Sequence, residues 1–67
     1  MKYYVIEVTV ANGAEARAIT PKADINDAIM VYHQVLASAR ANGNVSSGLC
    51  MVVNSSGGVE RSEAFTR

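Results

Sequence analysis

From Asp24 to Asn42 the apolar positions recur at three- and four-residue spacing, and on either side of that stretch they alternate. Ile25, Ala28, Ile29, Tyr32, Val35, Leu36 and Ala39 follow the i, i+3, i+4, i+7 rule of an amphipathic helix. Asp24 suits the N-cap and Asp27 places negative charge in the first turn. Arg40 lies in the last turn, and Gly43 after Asn42 is expected to be a left-handed cap. Before this helix, Tyr3 to Val10 is rich in β-branched and aromatic residues, with Tyr4, Ile6, Val8 and Val10 on one face and Tyr3, Val5, Glu7 and Thr9 on the other. Asn12-Gly13 signals a hairpin.

The register of that hairpin is open to two readings. A two-residue Asn-Gly loop would set Val10 against Glu15 and Val8 against Arg17, with charges on the richer apolar face. A three-residue loop, Ala11-Asn12-Gly13, would set Val10, Val8 and Ile6 against Ala14, Ala16 and Ala18, and parity favours it. Thr20-Pro21-Lys22 ends the second strand, because Pro21 cannot donate to a ladder. After a polar connection over Asn44–Ser47, Leu49 to Val53 reads as a central strand covered on both faces. Asn54 to Gly58 is a turn cluster, and Val59 to Phe65, charged on both faces, reads as an edge strand.

The expected fold is therefore α+β, in the order ββαββ, as a single domain over residues 1–67: a four-stranded, mostly antiparallel sheet with one helix packed on one face. The helix is expected on Ile6, Val8, Val10, Ala16, Ala18, Leu49, Met51 and Val53. The opposite face, carrying Tyr3, Val5, Ile19, Cys50 and Val52, is the expected self-association surface, with Tyr3 as an anchor or rim residue.

Composition supports an oligomer. A chain of 67 residues buries only about 60% of the surface its unfolded form exposes, and domains this small usually need a disulfide, a metal or a partner chain. One cysteine forbids an intrachain disulfide, and one histidine with one cysteine does not make a structural zinc site. Neither a metal nor another cofactor is expected, which leaves a homodimer. Six Lys/Arg balance six Asp/Glu with no basic block, so nucleic acid is a disfavoured partner. No apolar run reaches the roughly 20 residues of a membrane helix and no signal-peptide pattern opens the chain, so the expected compartment is the cytoplasm, away from membranes.

Catalytic readings are weak. His33 lies about 100° from the centre of the apolar stripe, with no acid or nucleophile at a defined spacing. Cys50 sits in the apolar run Leu49–Val53, which makes a thiol inert. Met30 and Ala37 lie on the far side of the helix, and Ser55-Ser56-Gly57-Gly58 joins two strands instead of opening a helix, unlike a phosphate loop. The expected role is non-enzymatic interaction or assembly. The alternative is a small nucleic-acid- or peptide-binding module that uses the sheet face or a sheet edge.

Tyr32-His33-Gln34-Val35-Leu36-Ala37-Ser38-Ala39, preceded by a hairpin beginning Tyr3-Tyr4-Val5-Ile6-Glu7-Val8, resembles a group of small proteins encoded in prophages and phages of Gram-positive, especially clostridial, bacteria. The resemblance runs over almost the full length. It implies a gene near tail or lysis genes and an accessory role, and it carries no activity and no catalytic residue.

Overall fold

A computed structural model describes all residues, Met1–Arg67. The chain forms β1 (Tyr3–Ala11), β2 (Ala14–Lys22), α1 (Ile25–Ala41), β3 (Val45–Asn54) and β4 (Val59–Thr66). The strands make one open sheet in the order β2-β1-β3-β4, with every neighbouring pair antiparallel. The expected ββαββ α+β architecture is the observed one, and β4 lies at an edge as its charges imply.

The first hairpin turns through two residues, not three. Asn12 (φ 52°) and Gly13 (φ 79°) are both left-handed, as a type I′ turn requires and as Asn-Gly tolerates best. Ala11 therefore faces Ala14, and Val10 and Val8 face Glu15 and Arg17. In such a hairpin the closing pair is hydrogen-bonded and bonded pairs then alternate. Pro21 falls opposite Tyr4 at a non-bonded position, so its missing N–H points away from β1. It is accommodated inside an edge strand that runs to Lys22, the last residue of the segment expected to end it.

This pairing inverts the expected faces of β1 and β3, while β2 keeps its own: Ala16 and Ala18 lie on the helix side and Ile19 on the other, as expected. The helix packs on the side that carries Val5, Cys50 and Val52, which are 2%, 1% and 0% exposed. These join Ala28, Tyr32 and Leu36 in the core, with Tyr3, Ile25, Val31, Val35 and Phe65 around them. The reason is volume. The helix brings Tyr32 and Leu36, so the strands beneath must be small to let it approach, and Val, Cys and Gly48 are. Tyr3, Val5, Cys50 and Val52, expected on the open face, are thus part of the helix-covered side. Of the five residues assigned to self-association only Ile19, 65% exposed, stands on the uncovered face.

The helix keeps its expected bounds, with Asp24 and Asn42 as extended caps. Asp24 caps through its backbone carbonyl, which accepts from the Ala28 N–H at 3.1 Å, and makes no side-chain cap bond. The other end closes without a left-handed Gly43; the positive-φ glycines are Gly13 and Gly57. Instead Asn42 Oδ1 accepts from the Asn44 N–H, and the Arg67 guanidinium donates to the carbonyls of Ala39 and Arg40. This supplies cationic charge at the C-terminal end of the dipole. β3 begins at Val45, so Val45–Ser47, expected as connection, is strand. It is central but covered on one face only.

Candidate functional site

Cross-strand partners share a face, so the register defines what the uncovered side presents. β1 contributes Tyr4, Ile6, Val8 and Val10. Val53, Met51 and Leu49 of β3 lie directly opposite Tyr4, Ile6 and Val8. On the other flank Ile19 of β2 faces Ile6, while Ala64 of β4 faces Leu49. No second layer lies on this surface: the only helix is on the other side. Its centre is apolar across the two middle strands. Its polar groups are marginal, chiefly Glu15 and Arg17 on β2, which pair with each other at 2.5 Å, and Ser62 on β4.

The bulkier apolar side of the sheet is thus the bare one. The largest fully buried side chains are only Val5, Val52 and Cys50, whereas Tyr, Ile, Leu and Met stand on the uncovered face. Periodicity in β1 identified the two sets of residues but could not say which set the helix takes. The signal that could have decided it was the Asn-Gly turn, whose two-residue geometry fixes parity.

Neither of the two residues first weighed for catalysis has a chemical partner. His33 is exposed on the helix and meets only the edge of the Tyr32 ring, 5.2 Å between centroids. Cys50 is buried, its thiol directed at the Tyr32 carbonyl at 3.9 Å. Burial, reinforced by the negative charge of Glu7, pushes the Cys50 thiol up to about 11, the opposite of nucleophile activation. Burial also raises the Tyr32 phenol, with the Glu63 charge adding to it.

Beside the helix lies an open depression bordered by Glu7 and Thr9 of β1 and by Gln34, Ser38 and Asn42 of α1. Glu7 is its one titratable group, and no histidine lies beside its two hydroxyls, Thr9 and Ser38. Nowhere do three His, Cys, Asp or Glu side chains converge as metal ligands would. At the far edge, Arg40 pairs with Glu63 at 2.6 Å and lies with Arg67 over the Phe65 ring, at 4.9 and 5.5 Å from its centroid. These contacts tie β4 to the helix. Arg40 is ion-paired, Arg67 is held by the Ala39 and Arg40 carbonyls, and both are engaged with Phe65. No helix is long and apolar enough to cross a membrane. No family model, curated protein or solved structure matches the chain.

Proposed function

We propose that the protein is a non-enzymatic assembly module that self-associates through its uncovered sheet face, as a homodimer formed sheet against sheet. One observation carries this reading: the sheet turns its bulkier apolar side, Tyr4, Ile6, Val8, Leu49, Met51 and Val53, away from its only helix. Nine of 67 residues are buried in the isolated chain, which is thin for a self-sufficient fold. A second sheet stacked about 10 Å away would turn the bare face into a second core.

The dimensions permit it. Four strands ~4.8 Å apart, each some eight residues long at ~3.3 Å per residue, give a footprint of roughly 500 Å² per copy. With side chains standing proud of that plane, two copies bury on the order of 1,000 Å², the lower bound for a specific interface. Most of the face must therefore take part, which matches an apolar centre with charge only at its margins. The resemblance to prophage-encoded chains fits an accessory role in an assembly.

Sedimentation equilibrium tests the reading. The wild-type chain should exceed monomer mass at micromolar concentration, and Leu49→Glu, at the centre of the bare face, should lower that mass with its circular dichroism unchanged. A wild-type monomer, or a Leu49→Glu chain with wild-type mass, refutes it.

A further inference from the structure

The edge of β2 offers a second, independent surface. Because Ala11 and Ala14 close the hairpin as a bonded pair, Ala14, Ala16, Ala18 and Thr20 direct their backbone groups at β1. Glu15, Arg17 and Ile19 direct theirs outward, where the sheet has no further strand. α1 packs mainly over β3 and β1, and the residues of β2 from Ala14 to Ile19 are all exposed. A straight run of open donors and acceptors of this length is what proteins ordinarily block. On β2 such devices are Pro21 and the charges of Glu15, Arg17 and Lys22, and of these Glu15 and Arg17 are of opposite sign.

We propose that β2 pairs antiparallel with β2 of a second copy, about a two-fold axis through Ala16, so that two sheets join edge to edge. Charge selects this occupant and this register. With Ala16 on the axis, Glu15 of each copy lies directly opposite Arg17 of the other in a bonded pair, giving two reciprocal ion pairs on one face. Glu15 and Arg17 already share that face within one chain, 2.5 Å apart. The neighbouring registers are worse. An axis through Arg17 sets the two guanidiniums against each other, and an axis through Ala18 sets Pro21, with no N–H, at a bonding position opposite Glu15. On the opposite face the strands meet only through alanines, which present no bulk to keep them apart.

Amide hydrogen exchange of the full chain, read residue by residue by NMR, tests this without interference from contacts on the sheet face, which leave the edge amides open. At high protein concentration the Glu15 and Arg17 amides should exchange at least ~10-fold more slowly than in dilute solution, while Ala16 and Ala18, bonded to β1, serve as internal controls. Glu15→Arg alone and Arg17→Glu alone should each lose the concentration-dependent protection, because each sets like charges opposite one another twice. An equimolar mixture of the two variants, in which every cross-copy pair is again of opposite sign, should regain it. Edge amides that exchange freely at every concentration overturn the proposal. So does protection that both single variants retain, or that the mixture fails to restore.

Discussion

Cys50 sits between the sheet and the backbone of Tyr32, 1% exposed, and its thiol is held neutral by burial and by the nearby negative charge of Glu7. Folding raises its ionisation from the ordinary 9.0 to about 11, so the unfolded chain releases this proton first as pH climbs. Its contribution to stability is complete below about pH 9 and is lost between about 9 and 11. Urea unfolding across that range should show wild-type stability falling with pH, and Cys50→Ala should fall less steeply; the buried Tyr32 phenol, shifted the same way, keeps the slope from vanishing. Gly48 is a second residue whose identity is set by contact. It faces Phe65 across the β3–β4 ladder, and a Cβ there would lie 2.6 Å from Phe65 Cε1. Arg40 and Arg67 lie over that ring and hinder it from swinging away. Gly48→Ala should cost about 1–3 kcal/mol in urea unfolding, as overpacking does, and Phe65→Leu in the same chain should recover part of it.

Among the elements, the first hairpin decides the most. Asn12 and Gly13 occupy left-handed backbone, which costs a residue with a Cβ roughly 1–2 kcal/mol. Gly13→Ala, at φ 79° with open space around its Cα, should lose about that much stability in thermal or urea unfolding through backbone strain alone. The Asn-Gly signal was legible in the sequence, yet the parity of apolar residues argued for a longer loop. Parity kept the charges of Glu15 and Arg17 off the face of Tyr4, Ile6, Val8 and Val10 and assigned that richer apolar face to the core. It miscarried because the helix supplies its own bulk, Tyr32 and Leu36, and needs a low floor beneath it. The helix was legible almost to the residue, since its stripe from Ile25 to Ala39 spans about four turns and both caps are marked. β3 was read too short because Ser46, Ser47 and Gly48 are weak strand formers, held in the ladder by β1 on one side and β4 on the other. The asparagine-glycine turn between β3 and β4 was plain in composition. Its organisation was not: Asn54 Oδ1 accepts from the Ser56 and Gly58 N–H groups while its amide donates to Glu60.

For the molecule as a whole, one helix over four strands leaves one side of the sheet bare, and the sequence implied such a side while naming its β1 and β3 residues by the wrong parity. Ile19 alone carries over from the expected set; Tyr4, Ile6, Val8, Leu49, Met51 and Val53 replace the rest. The central claim is that this face binds a second copy of the chain. Isotope-filtered NMR on an equimolar mixture of labelled and unlabelled protein tests it most directly, because only contacts between copies give cross-peaks. The account predicts intermolecular methyl contacts among Ile6, Val8, Leu49 and Met51. The absence of any intermolecular contact at millimolar concentration, or contacts confined to helix residues such as Met30, would contradict it.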